Sequence, residues 1–217
     1  IGVGTGVAAL IAPALGKAAM KIGELIMLAT NLQPFLMGIA VSVLVGIALT
    51  LPISSAAICA AFGLTGLAGG AAVAGCCAQM VGFAVMSFKE NRWGGLVSQG
   101  IGTSMLQMGN IIKNPRIWIA PIVTSAITGP MATCLFKLQM NGTPVSSGMG
   151  TCGFVGQIGV YSGWVNDIAN GTKAAITGFD WTGMILISFI LPAVLCPLIN
   201  MLLKKIGWVK DGDMKLS

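Results

Sequence analysis

The sequence is a succession of long apolar stretches punctuated by isolated charges. Neutral runs cover 1–16, 25–88, 93–112, 117–136, 138–166 and 181–203. A charge at the centre of a membrane helix costs about 2.5–3.5 kcal/mol on insertion scales, so the charges mark segment ends. The run 25–88 exceeds the roughly 20 residues of one crossing and must break. The break falls at Leu51-Pro52-Ile53-Ser54-Ser55, where proline lacks an amide donor and two hydroxyls follow. This pattern predicts spans at about 35–51, 65–88, 117–136 and 183–203.

Other stretches fit no simple span. Ser54 to Leu64 is too short to cross and too apolar for an exposed loop, which predicts a re-entrant or broken helix shielded by protein. The region 138–180 is broken by Gly142, Gly148, Gly150, Gly153, Gly156, Gly159 and Gly163, and reads as an outer loop enclosing a second re-entrant hairpin. Lys17, Lys21 and Glu24 share one helical face, with Ile22, Leu25, Ile26 and Met27 on the others, as in an interfacial amphipathic helix. The expected fold is therefore all-α: a polytopic, multi-pass transmembrane protein of the cell membrane with broken helices. It forms a single domain over 1–217. The chain opens with Ile1 inside an apolar run, which reads as the C-terminal part of a longer protein.

Topology follows from the basic residues. If both 95–112 and 117–136 crossed, the clusters Lys89-Glu90-Asn91-Arg92 and Lys113-Asn114-Pro115-Arg116 would lie on opposite faces. With 95–112 re-entrant, Lys17, Lys21, Lys89, Arg92, Lys113, Arg116, Lys204, Lys205, Lys210 and Lys215 lie inside, and Lys137 and Lys173 outside.

Composition narrows the chemistry. Charged residues make up only 8% of the chain, far below the roughly 25% of soluble domains, and there is no His. An imidazole base, haem ligand or phosphohistidine is thereby excluded. The net charge of +6 is scattered singly and forms no nucleic-acid patch. Cys59, Cys76, Cys77, Cys134, Cys152 and Cys196 include no C-x-x-C pair and read as small packing residues, with no metal site. Gly66 with Gly70 and Ala71 with Gly75 suit tight helix contact. No acid lies at mid-membrane, as a proton-coupled antiporter needs, and no phosphate loop or nucleophile elbow is present. No catalytic residue and no cofactor is expected.

The distinctive polar feature is LVSQGIGTSMLQMGNII. On a continuous helix Gln99, Thr103, Gln107 and Asn110 would share an arc of roughly 110°. Ser104 and Asn114 extend the set. These neutral groups both donate and accept hydrogen bonds, which suits a hydroxyl-rich ligand better than an ion. Interhelical glue is an equally good reading of the same stripe. Gln33, Ser54, Ser55, Gln79 and Gln157 are weaker candidates.

Four local runs carry a resemblance: Gln33 to Gly38 (QPFLMG), LTLPISSAA around Thr50, GTSMLQMGNIIKNPRIWIAP (102–121) and GMGTCGFVGQIG (148–159). Together they resemble the IIC membrane family of bacterial sugar phosphotransferase systems, more closely a stand-alone IIC branch. The resemblance implies a sugar or polyol permease, commonly a homodimer, whose broken helices form a midplane site. Separate cytoplasmic IIA and IIB proteins would carry the phosphoryl group, making the chain at most the membrane component of a sugar phosphotransferase. By analogy the sugar contacts fall on the polar stripe and on the Gly-rich hairpin around Thr151. Unlike members that set a His and a Glu at the sugar hydroxyl, this chain has only Glu90 nearby. A non-transporting membrane sensor, signalling to a cytoplasmic partner through Lys89, Arg92, Lys113 and Arg116, is the alternative, and a facilitator pore needing no phosphorylation is a third.

Overall fold

In the computed structural model, residues 16–216 except 18 are described. The apolar opening run lies almost wholly outside them. Helix α1 (19–30) leads through a short turn into α2 (Pro34–Thr50). After the short α3 (Ser55–Ala61) comes the axis of the molecule, α4 (Gly66–Met86), in which every residue from Gly69 to Ala84 except Val81 is buried.

Small residues let α4 take that place. A Cβ on Gly75 would collide with the Ser42 carbonyl of α2, and one on Gly82 with the Cys196 sulfur. With no water-driven attraction between helices inside a bilayer, such close backbone packing and interhelical hydrogen bonds hold the bundle together. Ser42 Oγ donates to Ser125 O at 2.8 Å, and Thr133 Oγ1 to Pro34 O at 2.8 Å. Both bonds tie α2 to the third long element, a continuous helix Pro115–Leu135 made of a 3₁₀ turn, α7 (Ile119–Pro130) and a π turn. The fourth, Gly178–Lys205, combines α10 (Gly178–Ile185), a π turn and α11 (Leu191–Lys205). It opens on a capping box between Thr177 and Asp180, and its far end carries Lys204 and Lys205, the sign that suits a helix C-terminus.

Three helices, Gly66–Met86, Pro115–Leu135 and Gly178–Lys205, are long and apolar enough to cross a membrane, and α2 is a shorter apolar helix beside them. The predicted spans coincide with these four helices to within a few residues, three of them of membrane-crossing length, and the all-α membrane fold holds. No strand occurs among the described residues, only a paired bridge between Gly66 and Met140.

Chain direction then requires the re-entrant segments. Pro34 lies beside Thr133, and Gly66 beside Met140, so α2 and α4 start at the same end of the bundle. From Thr50 the chain must return to that end, and it does so through 51–65. A second excursion leaves Met140, reaches the Cys76 backbone at Gly150, and returns along α9 (Val155–Ala169), where Gly163 packs on Asn141. The third enters from the opposite end: α5 (Phe88–Val97) leads in, and α6 (Met108–Lys113) leads out beside the C-terminal tail.

The polar stretch 95–112 is not the continuous helix that its spacing predicts. It divides into the end of α5, a π turn at Ser98–Gly102, an extended Thr103 (φ −158°, ψ 143°), a 3₁₀ turn at Ser104–Gln107, and α6. Gly100 and Gly102 carry no side chain to hold a regular turn, and Thr103 uses its hydroxyl to accept from Met105 N. The α1 polar face is exposed at Lys21 and Glu24, and the helix packs through Gly23, Ile26 and Ala29, leaving Leu25 and Met27 exposed. From the α1–α2 turn at the Thr133 end, α1 reaches back toward the first excursion, where Ala19 and Met20 lie beside Ser54, Ala57 and Ile58. Cys59, Cys76, Cys77 and Cys196 are buried as packing residues, whereas Cys134 is exposed.

Candidate functional site

The tips of the three excursions meet one another inside the bundle. Thr50 Oγ1, just before the first tip, lies 2.9 Å from Ser104 Oγ on the third. Ser55 Oγ donates to Gly148 O at 2.7 Å, joining the first tip to the second, and Thr151 Oγ1 donates to Gly100 O, joining the second to the third. Irregular backbone at this depth is tolerable only because each tip satisfies the others. The close approach has a steric condition: Gly150, at φ +52°, faces the Cys76 backbone, where a side chain would clash.

An open cavity of about 410 Å³ sits at this junction, lined by Pro52, Ser54, Ser55, Thr103, Met149 and Cys152 among others. Gln79, fully buried on α4, is tied to the junction through Thr50. Its Oε1 accepts from Trp118 Nε1 at 2.8 Å and from Thr50 Oγ1 at 3.3 Å, while its Nε2 has no partner among the described residues. An orphaned buried amide is uncommon and costly, and marks a place where a polar ligand or water would be welcome.

The remaining stripe residues do something else. Gln99 Nε2 donates to Ser87 Oγ at 2.8 Å, Gln107 Nε2 to Gln99 Oε1 at 2.8 Å, and Asn110 Nδ2 to Gln107 Oε1 at 2.8 Å, a chain of amides running toward the end of the bundle. There it grips the C-terminal tail. Gln107 and Asn110 donate to Met214 O and Lys215 O, and Asn114 Nδ2 to Asp213 Oδ2 at 2.7 Å. Glu90 accepts from Gly212 N and Met214 N at 2.9 Å each, and Asn91 both donates to Met214 O and accepts from Leu216 N. Met214 is fully buried as a result. The Lys204 ammonium, bonded to Asp211, adds a further anchor and holds that carboxyl below the usual carboxylate range.

The predicted site residues thus fall into two groups. Thr103, Ser104 and Thr151 lie at the junction, whereas Gln99, Gln107, Asn110 and Asn114 serve the tail. Of the weaker candidates, Ser54 and Ser55 line the junction cavity and Gln79 is tied to it through Thr50. Gln157 donates to Cys77 Sγ at 3.3 Å and its Oε1 has no partner among the described residues, and Gln33 is exposed. Thr50, Trp118, Glu90 and Asn91 carry bonds that spacing did not reveal. Among the four basic residues, Lys89, Arg92, Lys113 and Arg116 are all exposed, with the Arg116 guanidinium 5.4 Å from the Trp208 ring centre. Among the described residues no three potential ligands come together as a metal site.

Membrane-length helices around three interlocked re-entrant segments define a membrane-integral protein of the transporter kind, with irregular backbone gathered where it lines a cavity. The chain belongs to the EIIC family of the phosphotransferase system: the family model described as "Phosphotransferase system, EIIC" matches residues 1–216. Proteins of that family are membrane components of sugar phosphotransferase systems and work with separate IIA and IIB components. No curated protein and no solved structure matches the chain.

Proposed function

We propose that the chain is a sugar- or polyol-translocating IIC subunit whose substrate contacts lie at the junction of the three tips. The observation that supports this reading most is the cavity at the junction with Thr103 and Ser54 on its wall, together with the orphaned Gln79 Nε2, whose side chain joins the junction through Thr50. A hydroxyl-rich substrate offers acceptors for that amide and partners for both hydroxyls. Thr103, Ser104 and Thr151 are the nearest contacts in this proposal. Gln99, Gln107, Asn110 and Asn114 line the continuation of the path and become available when the tail leaves. The exposed Lys89, Arg92, Lys113 and Arg116 form the surface for a cytoplasmic IIB protein, where rim charges would set recognition. Lipid or a second copy of the chain covers the exposed apolar side chains of α11, among them Val194, Leu198 and Met201.

A second reading, a non-transporting sensor, draws support from the tail itself. Met214 and Lys215 are held by the amide chain, and in this reading the tail stoppers that end of the bundle. Uptake of radiolabelled glucose, fructose, mannitol, galactitol and N-acetylglucosamine into vesicles separates the two. The vesicles carry the full chain and are supplied with phosphoenolpyruvate and a cytosolic extract containing IIA and IIB. Accumulation of one sugar that depends on phosphoenolpyruvate and is lost in Thr103→Val supports translocation. Absence of uptake for every sugar, with the protein intact, favours the sensor.

A further inference from the structure

At the end of the bundle opposite the tail, a cavity of about 540 Å³ stands apart from the junction, within the roughly 300–1,000 Å³ of small-molecule sites. Three separated stretches build it: the turn after the Pro115–Leu135 helix, the end of α9, and the start of α10. Its apolar side is aromatic. Trp164 packs edge-on to Trp181 with ring centres 5.6 Å apart, and Phe136 lies 5.3 Å from Phe179.

Its polar side alternates donors and acceptors. Asn141 Nδ2 donates to Asp167 Oδ2 at 2.8 Å, and Lys173 Nζ pairs with Asp180 at 2.8 Å. Asp180 is already occupied, because it also accepts from the Thr177 amide and hydroxyl. The second oxygen of Asp167, the Asn141 carbonyl, the Gln139 amide nitrogen and the Lys137 ammonium have no side-chain partner among the described residues. Lys137 is held at φ 45°, a left-handed conformation that a side chain adopts at a cost and that concentrates at ligand sites. Two lysines face two aspartates, so the cavity has no net preference for an anion or a cation.

A neutral ligand with an apolar face and several vicinal hydroxyls matches this wall, and we propose that the cavity is a second saccharide-binding site, capturing substrate at the mouth away from the tail. The proposal rests on the reading of the chain as a sugar carrier only in its choice of sugars to test. Charge-assisted bonds from Asp167 and Lys137 to hydroxyls provide the affinity, and the aromatic side excludes water from the sugar's C–H face.

Intrinsic fluorescence of the purified full chain in detergent reads the site, since Trp164 lines it and Trp181 packs against Trp164. The probes are glucose, fructose, mannitol, galactitol and N-acetylglucosamine at millimolar concentration. One of them is expected to change the emission, with the apparent affinity falling about tenfold in Asp167→Asn and in Lys137→Gly. The glycine variant keeps the left-handed backbone without strain, so its thermal midpoint stays at or above that of the wild type and loss of binding is not loss of fold. Thr103→Val leaves this response in place. No response to any sugar, or a response untouched by both Asp167→Asn and Lys137→Gly, overturns the proposal. Either result leaves phosphoenolpyruvate-dependent uptake to decide the translocation reading separately.

Discussion

Thr50 Oγ1 and Ser104 Oγ lie 2.9 Å apart, one at the end of α2 and the other on a segment that enters from the opposite end of the bundle. Both residues are fully buried; the Ser104 hydroxyl has Thr50 as its one hydrogen-bond partner among the described residues, while Thr50 Oγ1 also donates to Gln79 Oε1. Thr50→Val or Ser104→Ala alone is expected to cost about 1–3 kcal/mol, the penalty for an unsatisfied buried group. The double variant should cost less than the sum. Thermal unfolding of the four proteins in detergent measures the coupling, and strict additivity would show that the tips do not support each other.

Gly75→Ala tests the packing of the axis. The added methyl meets the Ser42 backbone carbonyl, which cannot swing aside as a flexible side chain could. Overpacking of about 1–3 kcal/mol is expected, visible as a lowered unfolding midpoint. Gly94→Ala, with nothing near its Cβ, is the control and should shift stability by no more than about 0.5 kcal/mol. Equal midpoints for the two variants would mean that α2 and α4 do not cross so closely.

Glu90→Gln removes the charge that receives two tail amides while keeping the shape of the side chain. The tail should then leave its cleft more often. A cysteine introduced at Leu216 should react with a membrane-impermeant maleimide several-fold faster in the Glu90→Gln background than in the parent. Unchanged labelling would place the anchor elsewhere, for example at Asn91 or at Lys204 with Asp211.

Much of this arrangement is legible in the sequence because charges are so costly in a bilayer. Lys89 to Arg92, Lys113 to Arg116 and Lys204-Lys205 delimit the helices to within a few residues. Pro52, and the glycines from 142 to 153, fall where the helices break, whereas Gly156, Gly159 and Gly163 lie within α9. The spacing of the polar stripe implies one continuous helical face, which the structure breaks. A period near 3.6 cannot reveal that Ser98–Gly102 widens into a π turn or that Thr103 is extended. The tail was illegible for another reason. Asp211 to Leu216 has no periodicity, and its partners Glu90 and Asn91 recognise backbone groups, which every residue carries. The Trp164–Asp167 cavity assembles from stretches far apart in the chain and leaves no local signature.

The most direct test of the central claim is phosphoenolpyruvate-dependent uptake of the five radiolabelled sugars into vesicles bearing the full chain, compared between wild type and Thr103→Val. We expect one sugar to accumulate with the wild type only when phosphoenolpyruvate and the cytosolic components are present, and the rate to fall at least tenfold in the variant. Uptake unaffected by Thr103→Val, or no uptake of any sugar by well-folded protein, would contradict a sugar path through the junction of the three tips.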